Sequence, residues 1–398
     1  MTADVHHIPL PTVRISLPGE GAESHRLRTP HTRIVLEGVR RVEPEEEFLL
    51  EHLPANIGTR TLIPLVHGAP ALAATLATLH PDCAVEIWEP DLHAARLLRD
   101  KFNALRNITV NCTADMGAVA DARNGEPETA AQSAFLIIRR DSDRLMVLDA
   151  VERFSSVLPP ASPVLIVLPK KRADDFRQKL GKLLKRFREV ARSSNHLLFA
   201  GDTLAASVWT PRAARFTAST PKVALELVTR PGVFCHGRPD AGGTALAESV
   251  ELPPGQKVLE LGCGCGTTAL LLAAALRQAG QDPGHFTLVD SAARAIACAQ
   301  QNIADNGFAD HLEAVLDEEY LPELGAFDWF LGNPPYYASH RICGFFLEVA
   351  AVALRVGGTA VIVSKHKDEV RELAEARGFR VTRELQRRSY DVTFCERE

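Results

Sequence analysis

The run Val258-Leu-Glu-Leu-Gly-Cys-Gly-Cys-Gly266 decides how this chain is read. A short apolar strand ends in Glu260 and passes into a loop that carries Gly262, Gly264 and Gly266. Glycines let the backbone turn tightly and approach a ligand, with the N-terminus of the following helix beside it. Such a turn suits a nicotinamide dinucleotide as well as an S-adenosyl group. The carboxylate on the strand separates them: it can accept from the ammonium of S-adenosylmethionine and has no comparable duty toward a pyrophosphate. S-adenosylmethionine is therefore the expected cofactor, with Glu260, Gly262, Gly264 and Gly266 lining its site.

Downstream, the pattern continues as a βαβ series should. Asp290 ends the strand Phe286-Thr-Leu-Val-Asp290, where an acidic side chain meets ribose hydroxyls. Asp317, after the third strand, is a candidate partner for the adenine amine or an ordinary loop acid. The fourth strand runs into Phe330-Leu-Gly-Asn-Pro-Pro-Tyr-Tyr337, at the edge of the sheet where ligands of open α/β folds are handled. A planar amine has its lone pair delocalised. The Asn333 Oδ and the Pro334 carbonyl can accept its two hydrogens and localise that pair, and Tyr336 can stack on the flat acceptor, so Asn333, Pro334, Pro335 and Tyr336 are the expected catalytic residues. Taken alone, this segment also reads as a proline turn after a strand. The order of the three segments argues for a site.

Outward from this core, the 398 residues are too many for one ordinary domain. Strand-like and helical runs alternate from about Arg60 and then begin again at Lys257, which predicts two consecutive α/β units with parallel, doubly wound sheets. The expected division is a first domain over residues 1–205, a linker and entry segment over 206–230, and a second domain over 231–398. The segments Pro11–Pro18 and Thr32–Gly38 read as strands; the rest of the first 55 residues has no clear pattern.

The charge balance of −5 lacks the basic excess of a protein that grips nucleic acid by charge alone, so any such contact has to be a local patch. Eight scattered cysteines without a CxxC pair give neither a disulfide framework nor a zinc knuckle, which suits a reducing cytoplasm. No metal site is expected: Cys263 and Cys265 read as small loop side chains, and His6, His7 and His236 lack a suitably spaced second pair. No apolar run reaches membrane-spanning length, and the N-terminus lacks a secretory signal pattern.

The second half resembles the ribosomal RNA guanine-N2 methyltransferases with tandem methyltransferase-like domains. Pro231-Gly-Val-Phe234 followed by Asp240-Ala-Gly-Gly243 is similar to that family's lead-in to the cofactor fold, and the likeness continues through the glycine loop, Asp290 and Asn333-Pro-Pro-Tyr-Tyr337 to the last strand pair. It implies two Rossmann-like class I domains, the first degenerate, and transfer of a methyl group to the 2-amino group of a guanine in ribosomal RNA or a ribosomal subunit. Tyr336-Tyr337 stands where the family commonly has Phe-His, and Gly243-Thr244 where it often has Gly-Ser. An adenine amine or a protein glutamine amide is therefore an alternative acceptor, and a non-catalytic RNA-binding scaffold an alternative role.

The first half resembles the degenerate copy. Its first strand ends in Val66-His-Gly-Ala-Pro-Ala71 with a single glycine, Glu89 follows its second strand, and Arg139-Arg140 stand where the catalytic copy has Asn-Pro-Pro. It should neither bind cofactor nor catalyse. Phe176, Leu180, Leu183, Leu184 and Phe187 recur at helical spacing and predict one amphipathic helix over 173–190. Lys170, Lys171, Arg172, Arg177, Lys179, Lys182, Lys185, Arg186 and Arg188 surround that stripe, either as a phosphate-binding platform or as a solvated face.

Overall fold

The computed structural model describes residues 10–18, 24–39, 41–65, 70–116, 133–204, 209–319, 322–335 and 339–398. The chain divides into two units, Met1–Pro211 and Arg212–Glu398.

The first unit begins with β1 (Thr12–Ser16), β2 (Ser24–Arg28) and β3 (Arg33–Glu37), a small sheet in which β3 lies between the other two. There follow α1 (Pro44–Leu50), β4 (Arg60–Pro64), α2 (Pro70–Leu79), β5 (Ala84–Trp88), α3 (Leu92–Lys101), β6 (Ile108–Asn111), β7 (Ser133–Ile137), α4 (Arg144–Val157), β8 (Pro163–Pro169), α5 (Ala173–Leu183), β9 (Leu184–Arg192) and β10 (His196–Thr203). Seven of these strands form a sheet in the order β6-β5-β4-β7-β8-β10-β9.

In the second unit come β11 (Ala214–Ser219), β12 (Ala224–Thr229), α6 (Ala241–Ser249), β13 (Lys257–Leu261), α7 (Thr267–Gln278), β14 (His285–Asp290), α8 (Ala293–Asp305), β15 (Leu312–Leu316), β16 (Phe327–Gly332), α9 (Ser339–Ala353), β17 (Leu354–Ser364), α10 (Lys367–Glu375), β18 (Phe379–Arg387) and β19 (Tyr390–Arg397). Its sheet order, β15-β14-β13-β16-β17-β19-β18, repeats that of the first unit position for position. Both units are Rossmann-like. Residues 214–229, read above as linker and entry, form the antiparallel β11–β12 hairpin.

The parallel sheets need one correction. β10 pairs antiparallel with both β8 and β9, and β19 does the same with β17 and β18, so one strand in each sheet is reversed. The reversal follows from chain connection: β18 and β19 are joined by a tight turn, which only antiparallel neighbours allow.

Side-chain alternation covers each sheet on both faces. In the second unit Val258, Phe286, Leu288, Leu331 and Val361 pack on one side, and Leu259, Leu261, Val289, Phe330 and Ile362 on the other. α7 is buried along most of its length, as expected of Thr-Thr-Ala-Leu-Leu-Leu-Ala-Ala-Ala packed inside a domain. Consecutive strands step outward from β13 to β14 and β15, then cross over to β16. The carboxyl ends of β13 and β16 thus meet at the switch point of the sheet.

The single helix expected over 173–190 is not formed. α5 stops at Leu183, and Leu184–Arg192 is the edge strand β9. Phe187 belongs to that strand and stacks on Phe199 of β10, with ring centroids 4.9 Å apart and planes 11° apart. The apolar spacing does fit a helix. A hairpin partner next in sequence gives residues 184–192 a ladder and a ring to pack on, and tertiary pairing overrides the local period.

Candidate active site

Glu260 lies near the end of β13, 4% exposed, with its Oε2 accepting from the backbone N–H of Ala269 at 3.1 Å. It therefore caps the start of α7, and burial pushes its carboxyl up to about 8 against the bonds from Thr268 and Ala269. The loop that follows is built on left-handed backbone at Gly262, Gly264 and Gly266 (φ 69°, 56° and 82°). A Cβ at Gly262 would sit 3.1 Å from the Phe346 ring and one at Gly266 3.1 Å from Leu288, whereas one at Gly264 would meet nothing within 4 Å. The outer two glycines close onto the core, and the middle one faces open space.

Asp290, the last residue of β14, holds this loop. Its Oδ2 accepts from the Gly264 N–H at 2.9 Å and its Oδ1 from the Ala292 N–H at 2.9 Å. Asp317 follows β15; its N–H donates to the Asp290 carbonyl at 3.1 Å, and its half-buried carboxylate accepts from the Glu319 N–H at 3.1 Å. Both acids thus line the same carboxyl edge as the glycine loop.

Asn333 follows β16 immediately, and its Nδ2 donates to Asp240 Oδ2 at 2.6 Å. Pro334 is buried and Pro335 half-buried beside it. Tyr336 and its neighbour Tyr337 lie outside the described residues, as do His6, His7 and the single glycine of the first unit's turn, Gly68. Cys263 and Cys265 are buried free thiols, the latter pushed up to about 12 by burial, so neither is poised as a nucleophile.

Sequence reasoning gave no role to Asp240, which caps α6 by accepting from the N–H groups of Gly242 at 3.1 Å and Gly243 at 2.7 Å. Acid before an apolar run is a helix-start signal, yet its pairing with a residue 93 positions away is invisible in one dimension. Two other anchors were also missed. Buried Asn302 donates to the carbonyls of Val228 and Cys265 at 3.0 Å and accepts from the Val228 N–H at 2.7 Å, tying β12 to the glycine loop. Buried Arg294 donates to the Pro231 carbonyl at 2.8 Å.

The first unit shows what replaces these residues. Thr61 pairs with Ser133 as Val258 pairs with Trp329, each the second residue of its central strand. Counting on, Ile63 occupies the place of Glu260, and Ile137 that of Asn333. Arg139 and Arg140 then correspond to Pro335 and Tyr336, so of the two arginines read at the place of Asn-Pro-Pro only Arg139 falls within it.

Among known proteins, the Methyltransferase small domain family matches residues 224–393. Ribosomal RNA small subunit methyltransferase C of Ectopseudomonas mendocina (strain ymp) is 33% identical over 173 residues, 39% of this chain and 50% of that relative. The protein of the same name from Stutzerimonas stutzeri (strain A1501) is 30% identical over 187 residues, 43% of this chain and 54% of the relative. The chain thus spans about half the length of these relatives. A solved structure, the T. thermophilus 16S rRNA N2 G1207 methyltransferase in complex with AdoMet and guanosine, is 20% identical with a TM-score of 0.68 over 95% of this chain and 98% of that one, a likeness of fold.

Proposed function

We propose that this chain is an S-adenosylmethionine-dependent N-methyltransferase acting on the exocyclic 2-amino group of a guanine in ribosomal RNA. The observation that carries the proposal is the Asn333 amide beside buried Pro334 at the end of β16, on the same carboxyl edge as the Gly262–Gly266 loop and Asp290. The similarity to small-subunit ribosomal RNA methyltransferases supports the substrate class.

The residues present fit the cofactor. The open face at Gly264 leaves room for its methionine end, the Glu260 carboxyl could accept an ammonium, and Asp290 and Asp317 could offer acceptors to hydroxyls and an amine. The cofactor supplies an electrophilic methyl on a sulfonium. The protein's part is to present the nucleophile. Asn333 Oδ1 and the Pro334 carbonyl accept the two hydrogens of the guanine amine, which turns its lone pair out of conjugation and toward the methyl; Tyr336 stacks on the base. No strong general base is required: on transfer the S–C bond would break with its electron pair left on sulfur, and the methylated nitrogen, now acidic, would give up one hydrogen to solvent water. The target base has to be unpaired or flipped out.

The first unit is read as a non-catalytic RNA platform. All eight cysteines are free thiols, which suits a reducing cytoplasm. Among the described residues no helix is long and apolar enough to cross a membrane.

The test is transfer of radiolabelled methyl from S-adenosylmethionine to RNA and protein fractions, followed by mass spectrometry of nucleosides from a strain lacking the gene. Loss of one N2-methylguanosine is expected. Label in protein, or in N6-methyladenosine, would replace guanine with a different acceptor.

A further inference from the structure

We propose that Asp240, together with Gly242, is a seat that fixes which way the Asn333 amide faces, making Asp240 a positioning residue for methyl transfer. An amide in this place has two orientations of nearly identical shape and opposite chemistry. One presents Oδ1, an acceptor, to the incoming amine. The other presents Nδ2, a donor that would repel the amine hydrogens.

The Asp240 carboxylate chooses between them. Its two oxygens already accept from the N–H groups of Gly242 and Gly243 at 3.1 and 2.7 Å, and a carboxylate is an acceptor only. Only Nδ2 of Asn333 can face such a group, and it does so at 2.6 Å. Turning the amide over would set oxygen against oxygen. Oδ1 is then left on the side away from Asp240, and the charged partner polarises the amide so that this oxygen accepts more strongly.

Gly242 supplies the second, independent half of the seat. A Cβ built there would lie 2.7 Å from Asn333 Oδ1, 3.0 Å from Nδ2 and 3.1 Å from Cγ, so the amide lies against the bare Cα of this residue. Any side chain at 242 would push Asn333 off its place. Asp240-Ala-Gly-Gly243 is thus one device: the acid orients, the first glycine admits the amide, and the second packs its Cα within reach of Thr268.

The inference rests on the N-methyltransferase reading, and the experiment separates the two. Asp240→Asn has one oxygen for three donors: its NH2 must oppose either the Gly242 N–H or the Gly243 N–H and Asn333 Nδ2 that share the Oδ2 position, so the charged acceptor that fixes Asn333 is lost. Its kcat is expected to fall by roughly ten- to a hundred-fold, with S-adenosylmethionine affinity within about two-fold of the parent and the melting temperature nearly unchanged. The reciprocal exchange Asp240→Asn with Asn333→Asp restores a donor-acceptor pair and leaves a carboxylate oxygen toward the amine, so it should recover most of the lost kcat. Asn333→Asp alone sets two carboxylates against each other. Its residual activity should rise as pH falls, because one shared proton relieves the clash, while the parent shows no such rise.

Asp240→Asn turning over like the parent, an exchange variant no better than the single variant, or a matching loss of cofactor affinity would each overturn the positioning role. Asparagine-labelled protein gives a readout that needs no turnover: the Asn333 side-chain amide should be shifted and protected in the parent and lose both features in Asp240→Asn. If the parent methylates nothing, the functional reading falls. If the amide signal is indifferent to Asp240, the seat falls.

Discussion

Glu260 joins structure to pH. A carboxyl whose folded value is raised from 4.5 to about 8 keeps its proton in the folded state across that window, so ionising it costs stability as pH rises through the window. A bound ammonium reverses the preference. Cofactor binding at about pH 6.5 to 7 should therefore release a proton from Glu260 and tighten with rising pH, a linkage read by calorimetry in buffers of different ionisation enthalpy. Glu260→Gln should bind more weakly and release none. A parent without proton release would separate Glu260 from the ammonium. Asn333→Ala should lose roughly a hundred- to a thousand-fold in kcat with little change in cofactor affinity, and near-parental turnover would remove Asn333 from the chemistry. Of the residues that sequence reading placed at the site, Glu260, Asp290 and Asn333 lie at or within one residue of a strand's end, and strand ends are legible because local pattern and chemistry coincide there. Asp240 was not legible as a site residue, because its meaning comes from Asn333 and Gly242 together and only folding brings the three into contact.

At the scale of elements, the core βαβ runs were readable because each keeps one period between clear turn residues. The hairpin β9–β10 was not, since its apolar residues continue the spacing of α5 and only Phe199 reveals that Phe187 faces a sheet. The correction redistributes the cations. Arg172 donates to the carbonyls of Arg139, Arg140 and Ser142, Arg177 pairs with Glu189 at 2.7 Å, and Arg186 pairs with Asp202 at 2.5 Å. These three are engaged within the fold. Lys182 on α5, with Lys185 and Arg188 on β9, is exposed and has no ion pair among the described residues. If the first unit holds RNA by phosphate contacts, neutralising these three together should weaken RNA binding and flatten its salt dependence by up to roughly 0.7 to 0.9 log units per lost contact. Neutralising Arg186 should cost stability instead, modestly, as an exposed pair does. An unaltered salt slope in the triple variant would place the RNA elsewhere.

Across the whole molecule, two sheets of identical strand order have diverged at the positions where ligand chemistry would occur. Ile63, 1% exposed, replaces the carboxylate of β13, and Ile137, 4% exposed, replaces the amide after β16. The start of α2 still has a carboxylate on it, but from another element. Buried Glu46 of α1 accepts from the Leu72 N–H at 2.6 Å, and Leu72 lies two residues into α2 as Ala269 lies two residues into α7. Burial lifts Glu46 to about 7, much as it lifts Glu260. The first unit thus satisfies its helix start from inside the fold and offers apolar side chains where the second offers acceptors, while Glu89 alone keeps the place of Asp290, 1% exposed. A carboxylate for ribose without an acceptor for ammonium or amine is too little to hold the cofactor. Each chain should therefore bind one S-adenosylmethionine. Asp290→Ala should weaken that single site by roughly ten- to a hundred-fold, the loss of a charged acceptor, and leave RNA affinity nearly intact. Titration of the parent chain and of the Asp290→Ala chain decides the matter together. A ratio of two in the parent, or a second site that keeps its affinity in the variant, would mean that Ile63 and Ile137 do not disable the first unit.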